Sequence, residues 1–453
     1  MNMHVSTLKT RVKLVSLACL CTLSMNAMAS MSAADVERLG KDLTPTGAEK
    51  AGNGSTIPAW TGGITKAPAG FDANKGYLNP FAAEKPLYTI TADNMAQYKD
   101  LLAPGQMEML KRFPTYKMIV YPSHRTAAYP QSAYDSIKQE AAKATLSEGG
   151  NGVQNVKYSS VPFPVPKEGV EVIWNHIMRY RGGSIERSGA EFPVQTNGAF
   201  TPVTSDLSVA FASSMENPEP NRLLYFLASI TGPSSVAGES LLVVDPLDQV
   251  KEARLAWIYN PGQRRVLRAP DIGYDSPGLG ADGLRTTDDF DSYNGSPDRY
   301  NWKLVGKKEM IISYNNFKMT DKSMKYKDFI KPGHMEQAFS RYEAHRVWVV
   351  EATLKEGKRH IYAKRTFYVD EDSWAVAHTD AYDGRGDLWR VHETHAIQYY
   401  DAPTPGTAAE VIYDLQARRY TANGLGNEDV PIKFGTKFKP SYFTPGNLRR
   451  LSN

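Results

Sequence analysis

Alternation of apolar and polar positions is most regular at 345–354, where Trp348, Val350, Ala352 and Leu354 fall on one side and His345, Glu351 and Thr353 on the other. A period of two predicts a strand. Three more runs, 359–369, 374–382 and 388–400, follow it, separated by Lys355-Glu356-Gly357-Lys358, Asp370-Glu371-Asp372-Ser373 and Asp383-Gly384-Arg385-Gly386. Each break carries hairpin residues, so the stretch reads as four antiparallel strands studded with aromatics. Such a sheet either holds an apolar guest or packs its own core.

Upstream, 223–230, 241–244, 254–259 and 264–269 also read as strands, the last two joined by Asn260-Pro261-Gly262-Gln263, which suits a type II turn. Residues 302–305 and 308–314 resume strand character after a long acidic, glycine-bearing loop at 271–299. Helical spacing appears from Thr91 through Met95, Tyr98, Leu101 and Leu102 until Pro104-Gly105, again over 107–113, from Pro130 toward Leu146, and over 170–177. A further strand is expected at 179–187. Gly149-Gly150-Asn151-Gly152 is the favoured internal boundary, and 30–88 reads as an extended arm. Trp60, Phe71, Tyr77 and Phe81 along that arm predict that it packs on the body. The organisation expected is a signal at 1–29, the arm and helices at 30–150, and a curved-sheet domain with a C-terminal extension at 151–453.

The signal reading rests on Lys9, Arg11 and Lys13 before an apolar run at 14–23 that ends in Ala27-Met28-Ala29. The run is shorter than the roughly 20 residues of a membrane span, so the protein is not expected to be an integral membrane protein. Export to the periplasm is favoured over lipid anchoring at Cys19, because Ser16-Leu17-Ala18 lacks the large apolar residue expected three places before the cysteine. Both cysteines, Cys19 and Cys21, leave with the signal, which excludes disulfides, thiolate metal sites and cysteine nucleophiles. Removing the three basic residues lowers the formal charge from +4 to +1, and no nucleic-acid footprint appears.

Motifs that suggest chemistry lack their contexts. Gly278, Gly280 and Gly283 fit a dinucleotide fingerprint but follow no strand and open no helix. His392 and His395 stand three apart on a strand, which sends them to opposite faces. Asp288, Asp289, Asp291, Asn294 and Asp298 gather oxygen donors without EF-hand spacing. Solvation is expected for them, with calcium as the other reading. Glu371 and Asp372 lie in a turn where water is expected to reach both. Arg385-Gly386-Asp387 sits at a hairpin turn and is assigned to turn geometry. Arg264, Arg265 and Arg268 follow a turn, and Arg341, Arg346, Arg359 and Arg365 recur along later strands. These arginines either grip a carboxylate or headgroup, or pair with acids. No nucleophile elbow, phosphate loop or triad spacing is present, and no catalytic residue, metal or cofactor is expected.

Longer segments carry a resemblance over nearly the whole mature length. They include Gly40-Lys41-Asp42-Leu43-Thr44-Pro45, Ile57-Pro58-Ala59-Trp60-Thr61-Gly62-Gly63, Tyr121-Pro122-Ser123-His124-Arg125 and Trp174-Asn175-His176. Arg179-Tyr180-Arg181-Gly182, His345-Arg346-Val347-Trp348 and Asp370-Glu371-Asp372-Ser373-Trp374 continue it. The chain resembles the exported proteobacterial family known as domain of unknown function 1329. That resemblance implies an α+β, mainly β fold like the lipoprotein carrier LolA: an open, curved antiparallel half-barrel with helices covering the hollow, plus the extended arm. It also implies traffic of hydrophobic molecules alongside resistance-nodulation-division type exporters and outer-membrane proteins. The function expected is a non-enzymatic periplasmic carrier of a lipid, acyl chain or lipoprotein. A non-catalytic exporter subunit is the alternative, and an enzyme on hydrophobic substrates the third reading. Trp257, Tyr259, Trp348, Phe367, Trp374 and Trp389 are the expected lining.

Overall fold

The computed structural model describes residues 31–269 and 274–451; the expected signal lies outside the described residues. Helix α1 (Ala33–Arg38), strand β1 (Tyr88–Ile90), helix α2 (Pro104–Arg112), strand β2 (Met118–Val120) and helix α3 (Gln131–Glu140) precede a small hairpin, β3 (Thr145–Leu146) and β4 (Val153–Gln154). Helix α4 (Gly169–Met178) leads into β5 (Ser184–Val194), β6 (Val203–Phe211), β7 (Leu224–Gly232), β8 (Ser240–Asp245), β9 (Leu255–Asn260) and β10 (Arg265–Arg268). Then come β11 (Tyr300–Ser313), the short helix α5 (Tyr326–Phe329), β12 (Tyr342–Leu354), β13 (Lys364–Asp370), β14 (Val376–Tyr382), β15 (Leu388–Tyr399), β16 (Thr404–Asp414), β17 (Arg419–Asn423), β18 (Lys433–Phe434) and helix α6 (Pro445–Leu451).

Neighbours in sequence pair antiparallel from β11 to β17 and from β5 to β10, and the two runs join where β17 pairs with β5. The result is one large, curved, unclosed sheet, as expected of the fold class, with β10 at one end and β12 flanked by both β11 and the β1–β2 pair at the other. The four strands read from alternation at 345–400 are β12 to β15. Proline at the first turn starts α2 at Pro104, where a break was expected. The hairpin at 260–264 departs from type II: Arg264, not Gly262, takes the left-handed conformation, with φ 52°.

Both faces of the β12–β17 half are covered. On one face, Met109 and Leu110 of α2 join a core with Val391, Val411, Tyr413, Tyr420 and Phe192. On the other, α4 packs Val170, Val172, Ile173, Trp174 and Ile177 against Val350, Phe367, Val369 and Trp374. Every residue of α4 is buried, its polar Glu171, Asn175 and His176 included, so those three need hydrogen-bond partners inside the protein. Gly169 permits its approach to β11, since a Cβ there would stand 2.9 Å from the Lys303 carbonyl carbon. Asn175 fixes the preceding segment by exchanging two hydrogen bonds with the Phe163 backbone, at 2.9 and 2.7 Å.

Two aromatics of residues 30–88 touch later parts of the chain. The Trp60 indole donates to the Ala127 carbonyl at 3.0 Å, and Tyr77 packs edge-on against Tyr399. Among the described residues, no helix is long and apolar enough to cross a membrane.

Candidate functional site

The hollow under α4 is filled by the chain itself. Residues 274–299, expected to be a solvated loop, fold onto the sheet and bury Asp288 and Asp289 beside Arg365 at 2.8 and 3.3 Å. The rings of Tyr293, Tyr300, Tyr362 and Phe367 surround that guanidinium. Burial opposes ionisation of Asp288, but Arg365 and His360 outweigh it and hold the carboxyl well below the usual range. Burial likewise opposes ionisation of Asp291, yet Arg179 and Arg181 bring its pKa down to about 2. Arginine has taken the place of water around these acids, and the calcium reading loses its open oxygens. Glu371 and Asp372 are buried too, paired with Arg125, Arg346 and Lys307. The turn was read correctly, but its solvation was not, because the partners come from distant segments.

His176 sits where α4 meets this network. The Val376 amide donates to Nδ1 at 3.1 Å, and Nε2 lies 2.9 Å from the Asp291 carbonyl, so the ring is neutral with its proton on Nε2. Burial, then the charge of Arg179, lowers its pKa to about 3. Nearby, a cavity of about 10 Å³ lined by Glu191, Arg285, Ser292, His392 and Glu410 has room for about one water. Burial, followed by the charge of Asp291, raises Glu410 from 4.5 to about 7. A raised carboxyl pKa gives stability that is full below the unfolded value and falls as pH rises toward the folded one. Glu410→Gln is therefore expected to stabilise the protein at pH 8 by about 2–3 kcal/mol and to change little at pH 4.5, as read by urea unfolding at both pH values.

His392 and His395 do face opposite sides, and His395 joins an arrangement that spacing did not reveal. Its Nδ1 lies 2.7 Å from Ser313 Oγ and its Nε2 lies 3.6 Å from Glu393. Nucleophile, base and acid are thus in the order of a hydrolase, but all three are buried. Ser313 Oγ also accepts from Asn316 at 3.0 Å. The group works as a cross-strand tie between β11 and β15.

Of the six expected lining residues, Trp348, Phe367 and Trp374 come together in the core around α4. Phe367 and Trp374 are fully buried, and the Trp374 indole donates to the Thr46 carbonyl of the arm at 2.9 Å. Trp348 is half-buried beside Trp374. Trp389 stands apart, donating to Asp414 at 3.0 Å beneath Arg390. Trp257 and Tyr259 lie on a third patch with Leu227, Leu242, Phe443 and Leu448, under the C-terminal segment. The six do not line one hollow.

The alternate residues of the same strands form a different surface. Directly opposed residues share a face, and the registers run Leu207, Ala228, Leu241, Ile258 and Leu267 in one row across β6 to β10. Val209, Phe226, Val243 and Ala256 make the adjoining row. Ile258 is 37% and Leu267 50% exposed, while Leu207, Val209, Phe226, Leu241 and Val243 are half-buried. Five strands spaced about 4.8 Å apart give this face a width of about 19 Å. Exposed Arg265 shares it, one strand position beyond the Ile258–Leu267 pair. Of these strands, β7 to β10 fall on predicted runs and β6 does not, and on β9 the more exposed side belongs to Ile258, between the two lining candidates Trp257 and Tyr259.

Comparisons place the chain among known proteins. "Uncharacterized protein PA3922" of Pseudomonas aeruginosa is 51% identical over 438 residues, covering 95% of this chain and 96% of that protein. A solved structure from Vibrio parahaemolyticus, described provisionally as an outer-membrane lipoprotein-sorting protein domain, aligns with a TM-score of 0.44 at 16% identity, covering 62% of this chain and 98% of its own. A LolA superfamily protein from Nitrosomonas europaea aligns with a TM-score of 0.37 at 12% identity, over 62% and 98% of the two chains. The family model for "Protein of unknown function (DUF1329)" matches residues 89–449, and with the Pseudomonas relative it establishes that the chain belongs to that family.

Proposed function

We propose that this chain is a non-enzymatic, exported binding protein of the periplasm that takes up an acyl chain or another lipid on the open face of β6–β10. The observation that carries the reading is the row from Leu207 to Leu267, apolar on every strand and partly exposed on all of them but β7, where Ala228 is buried. Each methylene moved from water onto such a surface contributes roughly 0.8 kcal/mol, so a long chain needs little polar chemistry to bind. Arg265 offers a charge-assisted contact for a carboxylate or phosphate headgroup at the end of the row. The burial of Ser313, His395 and Glu393 supports a non-catalytic role, because a substrate has no approach to them.

Delipidated protein is expected to bind a fluorescent fatty acid saturably, and the Ile258→Lys/Leu267→Lys double variant to bind it at least about tenfold more weakly at unchanged melting temperature, since two charges then replace apolar contact. Wild-type protein that fails to bind the probe overturns the reading.

The edge strand β10 favours a second reading, as a subunit docking onto an envelope exporter or outer-membrane protein. An end strand leaves half its backbone groups available for strand addition. Crosslinking from position 267 in cells separates the two: a protein adduct with no extractable lipid supports docking.

A further inference from the structure

The turn between β13 and β14 folds back on itself: Trp374 takes φ 58°, its amide donates to the Asp370 carbonyl at 3.0 Å, and the Asp370 amide donates to the Ala375 carbonyl at 2.9 Å. This brings Asp370 and Asp372 together beside His345 of β12. One donor atom from each of the three lies within 4.8 Å of the others, and all three side chains are buried.

Two carboxylates and an imidazole in one buried place require an account of their charge. Asp372 has one, since Arg125 holds both of its oxygens at 2.8 and 2.6 Å. Glu371, between them, is paired with Arg346 and Lys307. Asp370 differs. Its Oδ2 accepts from the Ser373 amide and hydroxyl at 3.0 and 2.5 Å and from Tyr314 at 3.2 Å, but its Oδ1 is buried with no hydrogen-bond partner. Among the described residues, no cationic side chain forms an ion pair with it. A buried carboxylate oxygen left unmatched is costly unless a proton or a cation answers it.

His345 favours the cation. Its Nε2 lies 3.1 Å from Glu343 Oε2. Glu343 also accepts from Asn315 at 3.0 Å and from the His124 amide at 2.7 Å, and it pairs with Arg341, so it acts as an acceptor and Nε2 as the donor. Nδ1 keeps the free lone pair. A histidine whose second nitrogen is fixed by a carboxylate is the arrangement found behind metal-bound imidazoles. The tie between Arg125 and Asp372 supplies the corresponding support for that carboxylate.

We propose that His345, Asp370 and Asp372 form a binding site for a divalent transition-metal cation of the zinc class. One imidazole nitrogen with carboxylate oxygens suits zinc better than calcium, which prefers an all-oxygen shell. Donor atoms on a tetrahedral zinc stand about 3.4 Å apart, so small side-chain rotations close the set. The site lies where the arm meets the sheet, because Arg125 also donates to the Glu49 carbonyl at 2.7 Å. The cation would clamp the two.

The test uses the full purified chain, stripped with a chelator, dialysed and titrated with zinc chloride by calorimetry, with elemental analysis of the product. One zinc per chain and a raised melting temperature are expected. Asp370→Asn, nearly isosteric, should weaken binding by at least about tenfold and abolish the thermal shift while the metal-free protein still folds. Should that variant not fold, His345→Gln, which keeps a donor for Glu343, should give the same loss. Substoichiometric binding by the wild type means that a proton answers Asp370 instead and overturns the proposal. So does equal binding by a folded variant.

Discussion

Arg365→Ala is expected to destabilise the protein by about 3–5 kcal/mol, the cost of leaving buried charges without their partner. Arg365 is completely buried, and it is the guanidinium shared by Asp288 and Asp289. Neither carboxylate can reach water without lifting residues 286–294 off the sheet. Removal of the arginine should therefore loosen that segment before the sheet unfolds. Urea unfolding measures the total, and amide exchange at 286–294 locates it. A triple variant, Arg365→Met with Asp288→Asn and Asp289→Asn, should recover much of the loss, because a neutral set has no unpaired charge to bury. A cost below about 1 kcal/mol for the single substitution would mean that His360 and His392 suffice to hold the acids.

Trp174→Ala should cost a similar amount, about 3–5 kcal/mol, through a different mechanism. The side chain is fully buried in the cluster around α4, and its indole donates to the Gly150 carbonyl at 2.8 Å. Truncation opens a void at the centre of the hollow and leaves that carbonyl without its partner. Collapse is limited, because Val172, Ile173 and Ile177 are already packed into the sheet. Trp257→Ala, by comparison, removes a half-buried ring from the patch under the C-terminal segment and should cost clearly less. Denaturant midpoints of the two variants rank them. Equal losses would imply that α4 adjusts to fill its own vacancy.

How much of this was legible in the sequence depends on how local each cause is. The hairpins at 345–400 were readable because side-chain alternation and turn residues act within a few positions of each other. Helix α4 was readable as a helix. Strands β6, β16 and β17 were not foreseen: β6 opens Val-Thr-Ser-Asp, and β16 carries Pro405, Gly406 and two alanines. Their strand character comes from neighbours that pair with them. The buried acids failed for the same reason, since Asp288 and Arg365, or Asp372 and Arg125, meet only in the folded chain. At the candidate face, β7 to β10 were legible and β6 was not, and neighbouring residues of one strand face opposite ways. Along β9, a shift of one residue separates Trp257, under the C-terminal segment, from Ile258 on the open side.

The seam between β17 and β5 bears on how the molecule is made. Tyr420 pairs with Val194, so the middle of the sheet is assembled from strands that lie far apart along the polypeptide. Closing so large a loop is entropically slow, and contacts of this kind lengthen folding times. Until β17 arrives, β5 presents an unsatisfied edge to whatever is nearby. A nascent chain that already holds β5–β10 would thus need protection from self-association, and refolding from denaturant should slow and aggregate as protein concentration rises.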